Sequence, residues 1–189
     1  MQATAPELKL ARLSRARYDA MIAAGILTEN DAVELLDGQL YEAMPKGKKH
    51  NACINRASKL LEGKLGHRCI ISVQNSIALH EYSEPEPDIA VLRSCEDFYE
   101  AALPGPRDVL FLIEVSDATL AYDRDLKIPL YAAADIPEVW LVDVQARTVT
   151  VYREPEGNHY RQETIYRCGD VMALSAFPGE NIVVADLGL

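Results

Sequence analysis

The chain has 189 residues, 49% of them hydrophobic, and a formal net charge of −10; this is enough to bury one ordinary core, and it argues against a protein that coats nucleic acid nonspecifically, since Lys and Arg supply most of that affinity. No apolar stretch approaches the ~20 residues of a membrane span, and the opening MQATAPELKLARLSRARYDA lacks the continuous apolar core of a secretory signal, so one cytoplasmic domain over 1–189 with no membrane partner is expected. The four cysteines (Cys53, Cys69, Cys95, Cys168) form no CxxC pair and match no His spacing, which points to reduced, mostly buried thiols instead of a zinc site or a disulfide framework.

In chain order, residues 14–24 predict a short helix with Tyr18, Met21 and Ile22 on one side and Gly25 at its end. VELLDGQLYEA (33–43) predicts a β-hairpin around Asp37-Gly38, a dipeptide suited to a type I′ turn. From Asn51 to Leu65 the residues Ile54, Ala57, Leu61 and Leu65 recur at helical spacing, with Gly66 as a stop. Strands follow at CIISV (69–73), SIAL (76–79), PDIAVL (87–92) and VLFLIEV (109–115). The last is apolar without alternation until Glu114, the pattern of a strand covered on both faces at the centre of a mixed sheet. LAYDRDLKIPLYAAA (120–134) reads as a helix kinked or restarted at Pro129. VWLVDV (139–144) and TVTVYR (148–153) form a second hairpin, and a less regular strand tail runs to Leu189. The fold class is therefore α/β, an α+β mixed sheet flanked by helices, with β-hairpins toward both ends.

Between Lys46 and Arg68 seven Lys/Arg stand against a single acid, Glu62, in a chain that is otherwise acidic. Lys46, Lys48, Lys49, Arg56 and Lys59 are the candidate nucleic-acid contacts; a solvated helix face is the plainer reading of the same run.

A carboxylate is unexpected in a doubly covered strand. Asp88 and Glu114 fall at the ends of neighbouring strand-like runs, where two carboxylates suit a hard cation such as Mg²⁺ or Mn²⁺; the carbonyl of Val115 offers a third oxygen. Lys127 is the candidate to orient an attacking water or offset negative charge. Plainer readings stand beside each of these: Asp88 as a strand-entry residue bonded to its own backbone, Glu114 as the partner of Lys127 in a structural ion pair, and Asp123 with Lys127 as a surface pair four apart on a helix. His50, at the start of the basic helix, reads as a cap or surface residue ahead of a catalytic one. No HExxH, GxSxG, P-loop or GxGxxG is present.

IEVSDATLAYDRDLKIPLYAAADIPEVWLVDV, preceded by PEPDIAV and VELLDGQLYEAMPKGKKH, closely resembles the Uma2 family of restriction endonuclease-like proteins over roughly 33–153. The resemblance implies a PD-(D/E)XK nuclease core in which Asp88 and Glu114 hold metal. The superfamily's lysine, two residues after the acid, is replaced here by Ser116, so the resemblance shifts that role to Lys127. It also makes Glu34 and His50 accessory candidates, and Asp123, beside Lys127 in DRDLK, is a third. The function expected is Mg²⁺- or Mn²⁺-dependent hydrolysis of nucleic acid, DNA first, with a homodimer as one way to address two strands and Tyr41 and Val151 as candidate interface residues. A noncatalytic nucleic-acid or protein-binding module that keeps the fold is the alternative, and hydrolysis of another phosphoester a third.

Overall fold

The computed structural model describes residues 10–189, so the first nine residues of the N-terminal segment read above lie outside the described residues. Residues Arg15–Ala23 form helix α1. Only Tyr18 is buried there, its hydroxyl donating to the Val33 carbonyl at 2.9 Å. Ile22 is 47% exposed, so the expected apolar face is narrower than its spacing implied. Strands β1 (Val33–Leu36) and β2 (Gln39–Glu42) pair antiparallel across Asp37-Gly38. Both turn residues have positive φ, 48° and 80°, as a type I′ turn requires.

Helix α2 spans Lys48–Leu65, three residues earlier than its apolar stripe suggested, and buries Cys53, Ile54, Ala57, Leu61 and Leu65. Strand β3 (Cys69–Val73) follows. The strand expected at 76–79 does not form. The amides of Ile77, Ala78 and Leu79 donate to the carbonyls of Pro85, Pro104 and Ser83, three different loop positions that no single ladder can supply. Strands β4 (Ile89–Arg93) and β5 (Val109–Ser116) come next.

The helix expected over 120–134 is a composite of α3 (Leu120–Tyr122), a π turn (Asp123–Lys127) and α4 (Ile128–Ala133). Pro129 has no N–H to offer the Asp125 carbonyl, and just before it the Ile128 amide reaches back five residues to the Asp123 carbonyl. Thus the helix continues through the proline by widening one turn.

Strands β6 (Glu138–Asp143) and β7 (Thr148–Glu156) make the expected hairpin. The tail is more regular than its sequence implied. Strand β8 (His159–Arg167) pairs along β7, and β9 (Val171–Ala173) pairs with β10 (Asn181–Val183). The polar, largely exposed β8 shows no apolar period because few of its side chains, Tyr160 and Tyr166 among them, pack against the core from this edge position.

The main sheet has the order β3-β4-β5-β6-β7-β8. Only β5 and β6 run parallel, joined by the composite helix as crossover. Phe111, Ile113 and Val115 of β5 pack with α2 and the C-terminal hairpin, whereas Leu112 packs with Ile128 and Tyr131 of α4. Both faces of β5 are covered, as its unbroken apolar run required. Val151 lies in the α2-side core at 1% exposure and is no interface residue, while Tyr41 packs edge-on against Tyr122 at 6.0 Å. Cys53 and Cys69 are buried free thiols, but Cys168 is exposed. Among the described residues no helix is long and apolar enough to cross a membrane.

Candidate active site

Strands β4 and β5 pair with Ile89 opposite Ile113. Asp88 immediately precedes Ile89 and Glu114 immediately follows Ile113, so the two carboxylates fall at the same end of this antiparallel seam. Their exposures are 6% and 2%. A carboxylate this deep needs partners, and Glu114 has two at the same oxygen. The Tyr131 hydroxyl of α4 donates to Oε1, and the Lys127 ammonium lies 3.3 Å from it. Lys127 projects from the π turn, 4% exposed, and also reaches Glu34 Oε2 of β1 at 3.1 Å and the Glu86 carbonyl at 3.4 Å. Three acceptors face an ammonium with three protons. Glu34 accepts the Glu86 amide as well, at 3.1 Å, so this charge cluster ties the first hairpin to the sheet.

His50 is buried at the first turn of α2 and is neither a cap nor a surface residue. Its Nε2 meets Asp88 Oδ2 at 3.0 Å and its Nδ1 faces Asn51 Oδ1 at 3.3 Å, an arrangement that favours the doubly protonated ring. Asp88 Oδ2 also accepts the Val115 amide at 2.9 Å. Asp88 is thus bonded across the sheet and to α2 through its carboxylate, which departs from the self-bonded strand-entry reading. Val115, expected to offer its carbonyl to a metal, engages the site through its N–H.

Burial opposes charge on Asp88, but the hydrogen bond and charge of His50, with the Val115 amide, outweigh it and hold the carboxyl below the usual range. Burial likewise opposes the charged imidazole, and the bond to Asp88 outweighs it, so His50 is held above its usual value. At Glu114 burial wins over the attraction of Lys127, with Asp88 adding repulsion, and the carboxyl is raised. Lys127 moves upward despite burial, because Glu114 and Glu34 both favour its charge. The ammonium is charged, and burial readies Glu114 beside it to take a proton. Tyr131 stays protonated, its buried hydroxyl raised well above the ordinary tyrosine value.

Asp123 makes no surface pair with Lys127. It is buried and accepts from the hydroxyls of Ser116 and Thr119. Glu34, Lys46, His50, Asp88, Glu114, Asp123 and Lys127 all line one cavity of about 450 Å³. Lys46 stands 3.1 Å from Glu86 Oε1 and 4.0 Å from Asp88 Oδ1. The remaining basic candidates point elsewhere. Lys48, Lys49 and Arg56 line a second pocket, and Lys59 is exposed further along α2. Sequence reasoning missed Tyr131, although its i,i+4 spacing from Lys127 was a signal that both share a helix face.

Among the described residues no three His, Cys, Asp or Glu side chains gather as a metal cluster. Asp88 and Glu114 nevertheless form an all-oxygen pair, and Mg²⁺ is commonly held by one or two carboxylates completed by water and substrate phosphate. Glu114 Oε2 takes no hydrogen bond from the described residues. The donor set therefore fits Mg²⁺ or Mn²⁺.

The Uma2 family model, described as "Putative restriction endonuclease", matches residues 16–185. That span reaches beyond 33–153 to include α1 and the C-terminal hairpin. Among solved structures, a crystal structure described as a "putative nuclease belonging to DUF820" from Anabaena variabilis is similar at a TM-score of 0.64. It is 18% identical, and the match covers 84% of this chain and 90% of that one. At that identity the likeness speaks to the fold. No curated protein matches.

Proposed function

The chain belongs to the Uma2 family, and from that premise we propose that it is a nuclease hydrolysing phosphodiester bonds of nucleic acid, DNA first, with Mg²⁺ or Mn²⁺ as cofactor. The observation that carries this reading is the convergence of Asp88, Glu114 and Lys127, from two strands and a π turn, in one cavity. A divalent ion bound there would neutralise the phosphate and make a bound water more acidic. Asp88 is kept anionic by His50 and the Val115 amide, ready to serve as a ligand. Glu114 gives Oε1 to Tyr131 and Lys127, which leaves Oε2 to ligate. The buried ammonium of Lys127 supplies a fixed positive charge where negative charge develops on the phosphate, in a site where few waters screen it. Lys46 adds a second cation at the same cavity.

Incubation of the purified protein with DNA and RNA, with and without Mg²⁺ or Mn²⁺, tests the proposal. Metal-dependent cleavage lost in Asp88→Ala and Lys127→Ala is the expected result; cleavage that persists in Asp88→Ala belongs to a contaminant.

One observation favours a second reading. The three close acceptors around Lys127 satisfy its ammonium completely, as in a purely structural ion cluster within a binding module that hydrolyses nothing. Calorimetric titration separates the two: no divalent binding at millimolar concentration removes the nuclease reading.

A further inference from the structure

On the other side of the first turn of α2 lies a pocket of about 390 Å³ whose charged side chains are all cationic, Lys48, Lys49, Arg56 and Arg147, with Gly188 and Leu189 at its wall. No Asp or Glu side chain lines it, in a chain of net charge −10. None of the four cations pairs with an acidic side chain among the described residues. The sequence run between Lys46 and Arg68 anticipated three of them, but Arg147 comes from the turn between β6 and β7, nearly eighty residues after Arg68.

The two arginines are placed by specific contacts. Arg147 donates from Nη2 to the main-chain oxygen of Leu189, the last residue, at 2.6 Å. Arg56 lies against Gly188, where a Cβ would sit 2.4 Å from its Nη1 and where φ is +84°. A side chain at 188 would displace the Arg56 guanidinium and strain the backbone at that φ. Two guanidiniums and two ammoniums converging on a concave surface suit a tetrahedral oxyanion, because Arg offers paired donors and Lys adds charge.

The pocket adjoins the candidate active site. Gly47 and His50 line the first cavity, whereas Lys48, Lys49 and Arg56 of the same helix line the second. On the sheet side the Val144 amide donates to the Ser116 carbonyl at 2.9 Å, and Gln145 bonds Asp117 of the first cavity. Both cavities therefore open at the same end of β5 and β6.

We infer that this pocket holds a backbone phosphate of the nucleic acid flanking the one at Asp88 and Glu114, with Arg56 and Arg147 as its principal contacts. The inference rests on the nuclease reading for the identity of the strand, and its test is separable from that reading. Binding of end-labelled duplex and single-stranded DNA is followed by fluorescence anisotropy in EDTA over a range of salt, for wild type, Arg56→Gln, Arg147→Gln and a control of equal charge change, Lys64→Gln on the same helix outside the pocket. Cleavage with Mn²⁺ is measured in parallel.

Each arginine variant is expected to weaken binding roughly 3- to 10-fold and to flatten the salt slope by about 1, as loss of one phosphate contact does. Lys64→Gln should stay near wild type. Arginine variants that bind like Lys64→Gln, or a wild type that binds no DNA, overturn the inference even if cleavage is seen. Binding that depends on both arginines without any cleavage supports the pocket and defeats the nuclease reading. Inorganic phosphate, followed by its ³¹P signal, forms a separate arm; arginine-dependent binding of free phosphate without binding of DNA assigns the pocket to the free anion and overturns the backbone assignment.

Discussion

The imidazole of His50 and the carboxylate of Asp88 meet at 3.0 Å, Nε2 to Oδ2, with both side chains buried. The pair gives the metal-free protein a defined pH dependence. Asp88 is lowered relative to an unfolded value of about 3.9, so its contribution is present above that pH and is lost as pH falls through the folded value. His50 is raised relative to about 6.5, so its contribution is complete below that pH and is lost as pH rises through the folded value. From this pair, stability in EDTA is expected to be greatest between about pH 4 and pH 6.5. Thermal unfolding across pH should show a decline above that window in wild type and none in His50→Gln; an equal decline in both assigns it to other groups.

Lys127 holds two carboxylates at once, so its removal strands both. Lys127→Met is expected to lose stability toward the lower end of the ~3–5 kcal/mol typical of breaking a buried pair, since Glu34 retains some access to water. Adding Glu34→Gln should recover part of that loss. Urea unfolding of the single and double variants measures the coupling. In single-turnover cleavage the same Met variant should fall by about 100-fold or more.

Metal binding should be visible without catalysis. If Asp88 and Glu114 are the ligands, Mn²⁺ at a hundredfold excess over its Kd stabilises the wild type by ~2.7 kcal/mol, with a matching rise in Tm. Asp88→Asn and Glu114→Gln should show almost none of this rise, and EDTA should reverse it in wild type. An equal rise in all three proteins places the ion elsewhere.

Tyr131→Phe tests whether the hydroxyl at Glu114 Oε1 positions that carboxylate. Removing a buried hydrogen bond of this kind costs about 1 kcal/mol. A merely structural bond would leave the metal requirement untouched. A positioning bond should raise the Mn²⁺ concentration needed for half-maximal cleavage, which a metal titration of the rate reads directly.

Glu114 stood out in the sequence because it interrupts an apolar strand covered on both faces, which has no ordinary use for an acid. The aim of Lys127 was not legible. It depends on the π turn that widens the helix just before Pro129, and composition does not encode by how much a helix rotates there. His50 was misjudged because a helix start is usually solvated, whereas this one is pressed against the end of β4 by its bond to Asp88. Arg147 lay too far along the chain from Lys48, Lys49 and Arg56 for charge patterning to group them. The irregular path of residues 76–79 follows from amides that bond separate loops, a tertiary choice that overrides an apolar four-residue run.

The antiparallel seam between β4 and β5 also governs which insertions the protein can tolerate. Pleat alternation has a period of two, so one residue added between Phe111 and Glu114 would swing the Glu114 side chain to the α2 face and set an apolar neighbour across from Asp88. Between the two strands, residues 100–103 are exposed and precede the buried Pro104, whose carbonyl accepts the Ala78 amide, so a change in length is absorbed best there. Variation in length is therefore expected to accumulate away from Glu114, toward the Val109 end of β5, where the seam already shifts register by one residue opposite Val91 and Leu92.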